Sequence, residues 1–128
     1  MRVCKIFSFD AAHRLPNYEG KCSKLHGHRW VLEVEVSSDR LIQSGSEAGM
    51  VIDFAKLKGT VNKLVIDRLD HSYLNDVIEN PTCENLLGWI WAGLRDEIEK
   101  SPGFLERLRL YETPDSFAEM RRDDGKEV

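Results

Sequence analysis

The sequence predicts an α+β domain that opens with two strands, continues through two helices and closes with two strands. Three observations carry this. Residues 2–13 and 26–36 alternate apolar and polar side chains, the period of a half-buried strand. Residues 54–69 and 82–98 repeat apolar side chains every three or four positions, the period of an amphipathic helix. Alternation then returns over residues 104–113 and 117–121.

In the first strand Phe7, Phe9, Ala11 and His13 share one face, and Cys4, Ile6 and Ser8 share the other. Residues 14–21 read as a loop, marked by Leu15-Pro16-Asn17 and Glu19-Gly20. From His26 to Val36, Trp30, Leu32, Val34 and Val36 fall on one side and Glu33 and Glu35 on the other, as in a half-buried antiparallel strand. Residues 37–50 are a polar connection. Asp53 is placed to cap a helix carrying Phe54, Leu57, Val61, Leu64 and Val65, weakened somewhat by Gly59 and ending near Leu69. That leaves Asp70 and His71 in the following turn. The second helix starts around Asn80-Pro81-Thr82, with Leu86, Leu87, Ile90, Trp91, Leu94 and Ile98 as its apolar stripe, and Ser101-Pro102-Gly103 stops it. In the next strand Leu108, Leu110 and Glu112 are in phase. Pro114-Asp115 supplies a turn before a shorter strand, Phe117 to Arg121, and the charged tail from Asp123 is expected to fray.

A length of 128 residues predicts one domain with a core that needs no disulfides. The net charge of -4 speaks against nonspecific nucleic-acid binding. No stretch is long enough and apolar enough to span a bilayer, and no apolar signal region precedes the first strand. Three cysteines, Cys4, Cys22 and Cys83, are too few and odd in number for a disulfide framework, so a reducing cytoplasm is the expected setting.

The densest chemistry lies in Lys21-Cys22-Ser23-Lys24-Leu25-His26-Gly27-His28. His26 and His28 are two apart on a strand, so both rings leave the same face and can ligate a borderline metal such as zinc. Gly27 between them leaves room for a close approach. His13 ends the other alternating run, and antiparallel pairing of the two strands would bring it beside them. Alone, such a histidine is ordinarily a satisfied polar residue. Three histidines with no further protein ligand leave a tetrahedral zinc one open position, the arrangement of catalytic sites. Cys22 has three readings at this point: fourth ligand of a structural site, small buried hydrophobe, or thiolate beside the metal.

Phe9-Asp10-Ala11-Ala12-His13-Arg14-Leu15 followed by Cys22-x-x-x-His26-Gly27-His28 resembles the 6-pyruvoyl-tetrahydropterin synthase superfamily. Within it, the short gap between Cys22 and His26 is most similar to the bacterial 6-carboxy-tetrahydropterin branch, which acts in queuosine synthesis. Leu69-Asp70-His71-Ser72-Tyr73-Leu74-Asn75, Asn80-Pro81-Thr82-Cys83-Glu84-Asn85-Leu86 and Glu112-Thr113 match further along, so the resemblance covers nearly the whole chain.

The resemblance implies the tunnelling fold, a four-stranded antiparallel sheet with a helix pair on one face. It also implies sheets joined into a barrel by three subunits, two such trimers stacked as a homohexamer, and active sites at subunit interfaces. By the same resemblance His13, His26 and His28 hold Zn2+, and Cys22 is the catalytic base. Asp70 and His71 are its proton relay, given by a neighbouring subunit, while Glu112 anchors the pterin with Thr82 and Glu84 lining its pocket. A carboxylate suits a pterin because the ring offers an amino group and a ring N–H side by side. The implied substrate is 7,8-dihydroneopterin triphosphate, and Arg14, Lys24 and Arg29 are the basic residues nearest the metal stretch. Pyruvoyl-type synthase, side-chain aldolase and a non-catalytic zinc protein are the alternatives to the carboxy-tetrahydropterin activity.

Overall fold

The computed structural model describes residues 1–124. Strand β1 (Arg2–His13) pairs antiparallel with β2 (His26–Ser37) along its whole length, and His13 falls opposite His26. The intervening loop carries one 3-10 turn, Lys21–Ser23. On one face of this pair Phe9, Ala11, Trp30, Leu32, Val34 and Val36 are buried, as the alternation requires. Trp30 is fully buried, and its indole Nε1–H donates to the Ala11 carbonyl at 3.3 Å.

The two helices cover that face. Asp53 caps α1 (Phe54–Val61) by accepting from the Ala55 N–H at 2.9 Å. One continuous helix to Leu69 was expected. Instead the backbone widens into a π turn over Asn62–Ile66 before a last α turn, α2 (Asp67–Leu69). The fully buried residues Leu57, Val61, Val65 and Leu69 explain it. They repeat every four positions, which drifts about 40° per step on a regular α-helix. A wider turn takes that drift back and keeps all four on the sheet. Thr82 caps α3 (Cys83–Ile98), accepting from the Asn85 N–H at 3.1 Å, and Leu86, Leu87, Ile90, Leu94 and Ile98 face the core.

The sheet has five strands where four were expected. After α2 the chain makes a two-residue strand, β3 (Ser72–Tyr73), parallel to Ala11–Ala12 at the free edge of β1. Two residues are too short to show any periodicity. Strands β4 (Phe104–Thr113) and β5 (Ser116–Arg121) complete the order β3-β1-β2-β4-β5, and β5 begins one residue earlier than the alternation indicated. Glu106 is the extra residue of a bulge against Glu35–Val36, which is how Leu105 and Leu108 both reach the core. A second bulge leaves Glu112 without a partner between Tyr111 and Thr113. On the far face Arg107 joins Glu33 and Glu35, each at 3.0 Å.

Of the tail expected to fray, Asp124 closes a turn against Arg121, and residues 125–128 lie outside the described residues. No helix among the described residues is long and apolar enough to cross a membrane.

Candidate active site

The register of β1 on β2 brings His13, His26 and His28 together on the helix-covered face. Their ring centroids lie 4.6 to 5.2 Å apart. Each can offer one ring nitrogen, and these nitrogens are within 4.8 Å of one another. Trp30 stands edge-on beneath His13 and His28 at 5.2 and 5.5 Å, so the floor of the cluster is dry and apolar.

Two of the rings are held by carbonyls. His13 Nδ1–H donates to the Pro81 carbonyl at 2.8 Å and His26 Nδ1–H donates to the Lys24 carbonyl at 2.7 Å, with each tautomer assigned from its acceptor. This leaves Nε2 of each as the lone-pair nitrogen. The Nε2 atoms of His13 and His28 are buried without any hydrogen-bond partner, an arrangement that costs free energy until something binds there. Burial pushes both imidazoles below their ordinary pKa; for His13 the Pro81 bond opposes this, and for His28 Glu112 does. Neutral, aimed and unpartnered imidazoles fit a divalent metal ion.

Glu112 reaches the same place from β4. Its two carboxylate oxygens each lie 4.0 Å from one of those orphaned nitrogens, Oε2 from His13 and Oε1 from His28. It also borders a cleft of about 570 Å³ lined by Leu15, Thr82, Cys83, Glu84 and Phe117. The structure therefore gathers Glu112, Thr82 and Glu84 around one hollow beside the triad. A groove of about 640 Å³ between α1 and the end of α3 contains none of these residues.

Cys22 lies on the 3-10 turn of the loop that joins the two histidine-bearing strands, half-buried. Its sulfur is not among the ligand atoms that converge within 4.8 Å, which speaks against a closed three-histidine, one-cysteine site. Cys83, in the cleft, is a different thiol: burial pushes its pKa up to about 11, so it is protonated and unreactive at neutral pH.

Asp70 and His71 are not beside the triad of their own chain. His71 has φ 61°, the left-handed turn that lets two adjacent side chains point together. Asp70 Oδ1 accepts from the Asp10 N–H at 3.0 Å and lies 3.5 Å from His71 Nε2, while the His71 N–H donates to the Asp10 carbonyl at 2.7 Å. With the Asp10 carboxylate they form a cluster on the far face. Arg29 is there too, 3.8 Å from Asp10, and so points away from the triad. Arg14 is turned back to the Ser23 carbonyl at 3.4 Å. Gly27 is not needed for any close approach within the chain, since a Cβ there would meet only the Ala11 carbonyl oxygen at 3.8 Å. The sequence missed Pro81 as the anchor of His13 and Glu112 as a neighbour of two metal-ligand candidates. Both contacts span tens of residues and leave no local pattern.

The chain belongs to the 6-pyruvoyl tetrahydropterin synthase family, whose sequence profile matches residues 2–123. It is a lyase of that family with the tunnelling fold. It is 52% identical over 96 residues to a Synechocystis protein named 6-carboxy-5,6,7,8-tetrahydropterin synthase, covering 73% of this chain and 74% of that one. It is 41% identical over 113 residues to a Pyrococcus furiosus protein named dihydroneopterin monophosphate aldolase, covering 87% and 89%. Among solved structures, the Caenorhabditis elegans 6-pyruvoyl tetrahydropterin synthase superposes with a TM-score of 0.79 at 28% identity, covering 94% of each chain.

Proposed function

We propose that this protein is a zinc-dependent carbon–carbon lyase. It converts 7,8-dihydroneopterin triphosphate, with uptake of water, to 6-carboxy-5,6,7,8-tetrahydropterin, acetaldehyde and triphosphate in cytoplasmic queuosine (7-deazaguanine) synthesis. The observation that carries the reading is the set of three converging imidazoles, two with buried, unpartnered nitrogens, next to a carboxylate, Glu112, that also borders a cleft. The Synechocystis relative supports the carboxy-tetrahydropterin product.

His13, His26 and His28 would hold the zinc, and that cation would supply the charge that makes a side-chain hydroxyl of the substrate easier to deprotonate. Glu112 accepts the adjacent N–H donors of the pterin and fixes the ring, with Thr82 and Glu84 along the cleft wall. Cys22 takes a proton from the side-chain carbon as thiolate; a free thiol near pKa about 8.5 needs positive charge close by for this, and Lys21 and Lys24 are its basic neighbours in sequence. Asp70 orients His71, which passes the proton on. Because that pair lies on the far face of its own sheet, it serves the site of an adjoining subunit in a homohexamer of two stacked trimers.

The Pyrococcus relative favours a second reading, in which the same site releases a hydroxymethyl pterin as an aldolase. Zinc-loaded protein incubated with 7,8-dihydroneopterin triphosphate, with products followed by mass spectrometry, separates them. Acetaldehyde and the carboxy-pterin from wild type, lost in Cys22→Ala and His26→Ala, is the expected result. A hydroxymethyl or pyruvoyl pterin assigns the other activity, and no turnover by folded, zinc-bound protein overturns the enzymatic reading.

A further inference from the structure

Glu112 stands beside two of the metal-ligand candidates as well as at the edge of the cleft. Its two oxygens straddle the pair of imidazole nitrogens that have no other partner, each at 4.0 Å. The side chain is 28% exposed, so water screens it only in part. Among the described residues, no lysine or arginine forms an ion pair with it. The bulge between Tyr111 and Thr113 holds it there by leaving it outside the ladder of β4 and β5. A carboxylate taken partly out of water needs a compensating cation. The triad beside it, three imidazole nitrogens within 4.8 Å of one another, is able to receive such a cation.

We infer that Glu112 is the counter-charge of the metal centre, acting on the cation through space from beside His13 and His28, in addition to its contact with the substrate. The inference rests on the triad being a metal site. It makes Glu112 a positioning residue for the metal and places one carboxylate on the boundary between the cation and the pterin cleft. An outer-shell group of this kind is worth about 10- to 100-fold in metal affinity. A negative charge near a cation in a partly desolvated site acts in the same direction.

The test is zinc affinity, measured by competition with a chromophoric chelator at fixed pH, in wild type, Glu112→Gln and Glu79→Gln. Glutamine keeps the shape of the side chain and removes its charge, and circular dichroism verifies that each variant is folded. Glu79 is exposed and, among the described residues, forms no ion pair with the triad, so its variant reports the loss of a single negative charge elsewhere on the surface. The expected result is a zinc dissociation constant raised about tenfold or more in Glu112→Gln and unchanged within about twofold in Glu79→Gln. Equal zinc affinity in wild type and Glu112→Gln overturns the inference, as does an equal loss in both variants. Failure of wild type itself to bind zinc would remove the metal reading and the inference with it, an outcome distinct from equal binding. No turnover is measured, so the identity of the pterin product does not bear on the result.

Discussion

His13 ends strand β1 and His71 is hydrogen-bonded to the same strand at Asp10, yet their side chains are 1% and 80% exposed. His13 stands on the apolar floor of Trp30, with one ring nitrogen given to Pro81 and the other bare. His71 stands on the opposite face, held by its own backbone N–H on Asp10 and by the carboxylate of Asp70. Burial makes the first histidine a neutral, pre-aimed ligand complete within its own chain. Exposure leaves the second projecting, with its ring free to meet another surface. One chain thus carries the whole of the proposed metal triad and, turned away from it, the pair proposed as its relay.

The largest effect that would break this contrast is complementation between faces. His26→Ala lacks a metal ligand and His71→Ala lacks the relay, and each alone should lose activity by about 100-fold or more. When the two are unfolded together and reassembled, sites that combine an intact triad from one chain with an intact relay from another should return a sizeable fraction of wild-type turnover. No recovery in mixed assemblies of normal size would mean that the relay serves its own chain.

A smaller effect compares thiols on the two faces. Burial raises the pKa of Cys83 in the cleft to about 11, and the nearby carboxylates of Glu112 and Glu84 push it the same way. Cys4, on the far face, is also raised by burial, but Arg107 pulls it back. An unfolded thiol loses its proton first, so above about pH 9 the unfolded state holds fewer protons than the native one and stability falls as pH rises. For Cys83 that fall runs from about 9 to about 11. In denaturant melts over that window, Cys83→Ala should remove more of the alkaline slope than Cys4→Ala, and the reverse order would contradict the assignment of environments.

The smallest effect tests how the triad is held. Thr82→Ala removes the cap of α3 and should cost about 1 kcal/mol in global stability. Because Pro81, the residue before the cap, anchors His13, zinc affinity should fall with it, whereas a destabilising change of equal size at the end of α3 should leave zinc binding alone.

Much of this was legible in the residues. The alternation that buries Phe9, Ala11 and His13 also assigns His26 and His28 to one face, because a strand has a side-chain period of two. Asp53 and Thr82 announce their helices through the chemistry of capping. The strict four-residue repeat from Leu57 to Leu69 was present in the sequence as well, but whether the helix curves, shifts or widens to absorb it depends on the sheet beneath. Strand β3 had no signal to read: two residues pair there because the turn at His71 carries the chain to the free edge of β1.

The sequence by itself determined the elements, the face of each strand and the chemical kinds present near the metal stretch. These follow from periods and caps that act over a few residues. Tertiary structure alone decided which of those groups meet. It set His13 against Pro81, placed Glu112 beside two orphaned imidazoles, kept Cys22 out of their circle and turned Asp70 and His71 to the other side. Those outcomes depend on strand register, on two bulges and on one left-handed turn, and each was settled by packing between segments far apart in the chain.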